Sequence, residues 1–198
     1  MERRHFLVGQ RISLSNLSEE DLSDDAPYFQ WMNDLDLDVF TERGRFPNHP
    51  ARHRSYFDRS ADRGSIVLLG IFDNATERHI GNVSYKDINW HSRRGFLGYV
   101  VGEADFVGKG IATEAVGMFL LYGFQKLNFH RVHTTVALDN VASIKVLERN
   151  GLVREGVMPE HIISGDRKLD VAVYGTLAEN WMPAHADRVR KNYQSAPF

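Results

Sequence analysis

A mixed α/β sheet is the fold this sequence predicts, and three observations predict it. Two strand-like runs, residues 65–72 and 79–90, are joined by Asp73-Asn74-Ala75-Thr76-Glu77-Arg78, a hairpin in polar turn chemistry. From residue 96 onward, β-prone and helix-periodic segments alternate as β-α-β-α. A last hairpin then closes the chain, with Ile162-Ile163 and Val171-Ala172-Val173-Tyr174 flanking Ser164-Gly165-Asp166. A chain of 198 residues that is 42% hydrophobic can bury one sizeable core. A single domain over residues 1–182 is therefore expected, followed by a polar C-terminal tail over 183–198. The tail reads as mobile or as an oligomer contact, with a homodimer the assembly it allows.

The elements follow in order. Arg11-Ile12-Ser13-Leu14 reads as the first strand, and Ser18-Glu19-Glu20-Asp21 as a helix start with a capping serine and an acidic first turn. Helical character runs to about Leu35, with Pro27 breaking or restarting the helix. That leaves Tyr28, Phe29, Trp31 and Met32 as a cluster that either packs on the sheet or walls a ligand site. Residues 41–50 read as loop and 50–63 as a charged helix. Phe96-Leu97-Gly98-Tyr99-Val100-Val101 is β-prone, 112–127 is helical, 131–137 is a strand and the segment around Ser143 a second helix.

Composition removes several function classes. A formal charge of −2 carries no basic excess for nucleic acid, and no run of eighteen apolar residues suits a membrane span. With no cysteine there is neither a disulfide nor a thiolate nucleophile. The N-terminal residues lack an apolar core long enough for export, so the cytoplasm is the expected compartment. His49 and His53 stand four apart, but Pro50 intervenes and no zinc-hydrolase carboxylate accompanies them, so no metal is expected. His130 and His133 flank a strand start and read as surface or helix-end residues. Asp34, Asp36 and Asp38 form an acidic run of the kind that is usually solvated. The Gly-x-Ser-x-Gly elbow of serine hydrolases is missing.

Chemistry concentrates in Asp105-Phe106-Val107-Gly108-Lys109-Gly110-Ile111-Ala112-Thr113, where a strand feeds a helix through two glycines. Glycine tolerates positive φ and close backbone approach, and the free amides at a helix start favour an anion such as a pyrophosphate. Neither a Walker loop nor a dinucleotide fingerprint fits: Gly110 follows Lys109 where the first needs Ser or Thr, and Thr113 stands where the second needs glycine.

About thirty residues on lies Asp139-Asn140-Val141-Ala142-Ser143-Ile144-Lys145-Val146-Leu147-Glu148-Arg149-Asn150-Gly151-Leu152. With these two segments the chain resembles the GNAT superfamily of acetyl-CoA-dependent N-acetyltransferases. The similarity is to its RimJ/RimL-like branch, with likeness also to spermidine and pseudaminic-pathway amino-sugar acetyltransferases, and it runs from about Arg11 to Trp181. Asp105 and Leu152 depart from the family's Arg/Gln and Phe.

The resemblance implies a mostly antiparallel sheet flanked by helices and splayed between its two central parallel strands. Acetyl-CoA would enter the splay as co-substrate, pairing with Tyr99, Val100 and Val101 and seating its pyrophosphate on Val107, Gly108, Lys109, Gly110, Ile111, Ala112 and Thr113, with Asn140 and Ser143 beside it. Many relatives protonate the departing thiolate with a tyrosine where Leu147 stands here; RimL-like members use a serine matched by Ser143. On its residues alone, Ser143 also reads as a helix cap. The carboxylate base of RimL-like relatives is absent, since Phe96 and Leu97 occupy its place. Glu160 ranks first among substitutes, ahead of His161, with Asp87, Tyr85 or a water chain as alternatives. Trp31, Tyr85, Asp87 and Trp90 are the expected acceptor-site residues. The implied activity is acetyl transfer to a primary amine of a small molecule such as an amino sugar, by direct attack in a ternary complex. A protein N-terminus is the alternative acceptor. A catalytically weak acyl-CoA-binding sensor is the alternative from another class.

Overall fold

Alternation of side chains sets the sheet. On β3 (Val67–Asp73), Leu69 and Ile71 turn to one face while Leu68 and Phe72 turn to the other, and each pair joins a separate buried cluster. The computed structural model describes residues 4–34, 40, 47–61, 64–191 and 193. Its strands are β1 (Leu7–Val8), β2 (Ile12–Ser15), β3, β4 (His79–Asn89), β5 (Arg94–Val101), β6 (Arg131–Ala137), β7 (Val153–Ser164) and β8 (Arg167–Leu177). They form one sheet in the order β1-β2-β3-β4-β5-β6-β8-β7. Neighbours are antiparallel except β5 and β6, which run parallel. A mixed, mostly antiparallel sheet is therefore what forms.

One face carries α1 (Pro27–Trp31) and α2 (Pro50–Ala61) over Leu17, Leu22, Ile66, Leu68 and Phe72. Pro27 starts α1, where its missing N–H has no partner to lose. Only a short 3-10 turn, Glu20–Leu22, forms ahead of it. Tyr28 and Trp31 are buried, and the Trp31 indole occupies the space a Cβ on Gly102 would need. Trp31 is thus a packing residue in this fold rather than an open stacking platform.

The other face carries α3 (Ile111–Gln125), buried nearly all round because the sheet lies beneath it and α4 (Val141–Arg149) and α5 (Ala178–Arg190) pack against it. Tyr85 lies in this core, fully buried, stacked on Phe119 and donating its hydroxyl to the Phe119 carbonyl at 2.9 Å. It is closed to any acceptor, which corrects its assignment as a substrate or proton-accepting residue. The stretch expected as a polar tail from Pro183 is instead helical through Arg190. Its Ala186 and Val189 are buried, and the Tyr193 hydroxyl donates to the Met118 carbonyl at 2.8 Å. Residues 192 and 194–198 of the expected tail, residues 62–63 of the expected charged helix, Leu35, Asp36 and Asp38, and residues 41–46 of the expected loop lie outside the described residues. No described helix is long and apolar enough to cross a membrane.

Candidate active site

The site begins where two strands part. β5 and β6 share three rungs, Arg94 with Arg131, Gly95 with Val132 and Phe96 with His133, after which the pairing stops. β5 continues through Tyr99 to Val101 still paired with β4, so among the described residues no strand lies on its β6-facing edge over 97–101. That wedge opens toward the loop leading into α3.

At its far end, a 3-10 turn over Ala104–Phe106 leads into the two glycines. Gly108 has φ +77° and Gly110 φ +80°, the left-handed conformation that side chains disfavour. Gly110 is the N-cap of α3 and has no side-chain cap, so the amides of the first turn are free of a capping side chain. Arg11 braces the turn from β2's approach. Its guanidinium donates to the carbonyls of Lys109 (2.5 Å) and Gly110 (3.2 Å), while its Nε donates to Glu114 at 2.8 Å. By drawing carbonyls to one side, Arg11 leaves the amides to the other. It was legible only as a strand residue, since its partners lie about a hundred positions away in the chain. A cavity of about 250 Å³ adjoins the turn, lined by Arg11, Gly110, Thr113, Arg149 and Arg188 among others. A larger cavity of about 360 Å³ lies under β8 and α5 beside Trp181 and His185 and does not reach the glycines.

On the α3 side of the wedge stands α4. Asn140 caps it, its side-chain oxygen accepting from the Ser143 amide at 3.0 Å. The cap is therefore Asn140, and the Ser143 hydroxyl is free for another partner: the Tyr99 hydroxyl, 2.5 Å away across from β5. Burial pushes the Tyr99 phenol up to about 12, against the opposing pull of that hydrogen bond, so it remains a protonated donor at neutral pH. Asn150, at the other end of α4, donates to the Thr113 carbonyl at 3.1 Å and fixes α4 to the first turn of α3. Leu147 is buried in the core that α3 and the sheet share.

The remaining predicted residues scatter. Tyr99, Val100 and Val101 sit on the open edge of β5; Val107 to Thr113 form the glycine turn and its helix start; Ser143 faces Tyr99, and Asn140 caps the helix that carries it. Glu160 and His161 are exposed on a bulge of the β7–β8 hairpin, where Glu160 takes φ +48° and its carboxylate pairs with Lys168 at 2.7 Å. That bulge follows Met158, which registers with Val171, itself opposite Ala137 at the end of β6. The hairpin bulge thus lies beyond the open end of the wedge, roughly 13 Å along β6 from the last β5–β6 rung. Trp90 sits in the β4–β5 turn at the paired end of β5, its indole donating to the Gly64 carbonyl at 2.6 Å. Asp87 is exposed nearby, at φ +48°. His49 and His53 do not converge: the His49 ring accepts from the Ala51 amide, while His53 is buried beside Tyr28 and Phe29.

Residues 11–153 match the acetyltransferase (GNAT) domain family. The chain is similar to the Bacillus subtilis protein "Probable N-acetyltransferase YjcK", 37% identical over 95 residues, which is 48% of this chain and about half (52%) of that protein. Uncharacterized N-acetyltransferase YnaD of the same organism is 33% identical over 168 residues, 83% of this chain and 94% of its own length. The [ribosomal protein uS5]-alanine N-acetyltransferase of Escherichia coli is 23% identical over 190 residues, 85% of this chain and 96% of that one. Among solved structures, spermidine N-acetyltransferase from Vibrio cholerae, in complex with CoA and spermine, superposes with a TM-score of 0.77 at 21% identity, covering 87% of this chain and 98% of that one. RimJ of Mycobacterium smegmatis, in complex with CoA-disulfide, gives 0.77 at 19%, covering 96% and 95%.

Proposed function

The chain belongs to the GNAT acetyltransferase family, and on that premise we propose that it moves an acetyl group from acetyl-CoA to a primary amine of a small molecule such as an amino sugar, by direct attack in a ternary complex. The observation that carries this reading is the parting of β5 and β6 after three rungs, with a glycine turn at one end of the gap and the Tyr99–Ser143 pair on its side. A thioester is already activated, so holding a neutral amine against its carbonyl does most of the work and needs no covalent enzyme intermediate.

The residues present fit acetyl-CoA. Gly108 and Gly110 leave backbone room for a pyrophosphate at the start of α3, and a Cβ at Gly108 would have nothing within 4 Å, so that side of the turn is open. The unpaired edge of β5 offers backbone groups to an extended pantetheine and an amide to polarise the acetyl carbonyl. Ser143, hydrogen-bonded to a phenol that stays protonated, is placed to hand a proton to the departing sulfur. Among acceptor contacts, the exposed Asp87 remains available, whereas Trp31 and Tyr85 are committed to packing and Trp90, at the paired end of β5, gives its indole N–H to Gly64.

The ribosomal-protein relative favours a second reading, a protein N-terminus as acceptor. One experiment separates these. Acetyl-CoA is incubated with glucosamine, spermidine or a short peptide beginning with alanine, and free thiol is followed. Rapid thiol release with glucosamine supports the leading reading, and release only with the peptide supports the second. Tight CoA binding with no release on any amine points to an acyl-CoA-binding sensor and refutes the transferase reading.

A further inference from the structure

The last rung before the strands part joins Phe96 to His133. Val132 and Val136 belong to the core beneath α3, so alternation along β6 turns His133 to the opposite face. There its ring meets the Phe96 ring edge-on at 5.4 Å, and the Lys86 ammonium lies 5.4 Å over that same Phe96 ring. Tyr99, whose neighbours are in the α3 core, and Ser143 approach the gap from the other face. The wedge is therefore flanked by a hydroxyl pair on one side of the sheet and an imidazole on the other. An acyl transfer needs that division, because the sulfur leaves and the amine arrives from different directions.

His133 is equipped as a base. Its Nδ1 is buried with no hydrogen-bond partner among the described residues. A buried polar atom left unpaired is unfavourable and calls for an explanation. The side chain as a whole is only partly buried, so an incoming molecule reaches the ring at its other nitrogen, Nε2, rather than at the enclosed Nδ1. Burial, with the guanidinium groups of Arg131 and Arg94, lowers its pKa below the ordinary histidine value, while Glu155 and Asp87 pull the other way. The imidazole is consequently neutral and able to take a proton at neutral pH. Glu155 is ion-paired with Arg131, while the exposed Asp87 carboxylate can favour an ammonium approaching the ring.

We infer that His133 is the proton acceptor for the attacking amine, a role that rests on the acetyl-transfer reading above. The ammonium gives one proton to His133, and the freed lone pair forms the N–C bond to the thioester carbonyl carbon. The C–S bond breaks with its electron pair on sulfur, which takes a proton from the Ser143 hydroxyl. The second proton shed by nitrogen as the amide forms passes to solvent, solvent reprotonates the Ser143 oxygen, and the imidazolium returns its own proton to solvent. One acetyl group moves and one proton is released. His133 thus takes up the task for which Phe96, its rung partner, has no chemistry.

The test is His133→Gln, assayed with acetyl-CoA and whichever of glucosamine, spermidine or the alanine peptide the parent enzyme acetylates. Turnover should fall roughly a hundred- to ten-thousandfold, with CoA affinity by calorimetry unchanged and the acidic limb of the pH–rate profile lost. Placing a carboxylate on the neighbouring rung, Phe96→Glu in the same variant, should restore part of the turnover and shift the limb to lower pH. Independently of any variant, the acidic limb of the parent should move with temperature as an imidazole ionisation does; a limb as insensitive to temperature as a carboxylate's overturns the assignment. A parent that turns over while His133→Gln keeps its rate and acidic limb removes His133 and leaves the transferase reading intact. A parent that acetylates none of the three amines removes both.

Discussion

Replacing Gly110 with valine tests the glycine turn where its geometry is most demanding. Gly110 holds φ +80° as the N-cap of α3, and an added Cβ would stand 3.3 Å from an Arg11 guanidinium nitrogen. An L-residue held in the left-handed region is strained by about 1–2 kcal/mol, and a β-branched one falls at the upper end. Valine has two ways out. It can keep the conformation and press on Arg11, loosening the hydrogen bonds that draw the Lys109 and Gly110 carbonyls aside, or it can leave the conformation and turn the amides of the first helical turn away from an anion. In either case the native arrangement must be restored when CoA binds. At about 1.4 kcal/mol per tenfold, strain plus the Arg11 contact weakens CoA binding roughly ten- to a hundredfold. The same strain lowers the melting temperature by about 2–4 °C per kcal/mol for a chain of this size. Calorimetric titration with CoA beside a thermal melt reads both. Gly156→Ala is the control, because Gly156 has no positive φ and a Cβ there meets nothing within 4 Å. A folded Gly110→Val protein with parental CoA affinity would refute the pyrophosphate seat.

Ser143→Ala should lower turnover roughly ten- to a thousandfold with little change in the Michaelis constant for acetyl-CoA. Asn140→Ala should instead destabilise the fold by about 1 kcal/mol, since Asn140 supplies the cap; equal losses of melting temperature from both would contradict the division of labour. Glu160→Gln should leave the pH–rate profile unchanged, because its carboxylate is paired with Lys168 on the exposed hairpin, and a lost acidic limb would return Glu160 to the role of base. Burial also holds the pKa of His53 below the ordinary value, outweighing the pull of Asp24 and aided by Arg54. The unfolded chain therefore takes up this proton first as pH falls, so stability contributed above about 6.5 is lost below it. Denaturant melts of His53→Gln across this range should show a shallower loss than the parent, and identical slopes would show that His53 is not the group responsible.

Local chemistry determined much of this molecule by itself. Side-chain periodicity marked the paired strands, α3 and α4, since burial on one face imposes a period that needs no knowledge of the partner. Gly108 and Gly110 announced a positive-φ turn because glycine alone adopts it without strain, and Asn140 and Ser143 marked a helix start. The two-residue β1 was too short to show a period. The C-terminal helix was hidden by Pro183 and by charges that cover one side of a segment whose Ala186 and Val189 are buried.

The tertiary structure decided which of those residues meet. Tyr85 and Trp31 looked like ligand-stacking aromatics, but the face on which a strand or helix side chain emerges depends on register, and register placed them in the two cores. The wedge itself is a failure of pairing between β5 and β6, and no single segment encodes the end of a contact between two others. Arg11 reaches the glycine turn, and Tyr99 reaches Ser143, across long stretches of chain. His133 is one histidine in a strand until Phe96 is laid beside it. Composition and spacing carry the local conformations; long-range contact, set by burying both faces of the sheet at once, assembles the site.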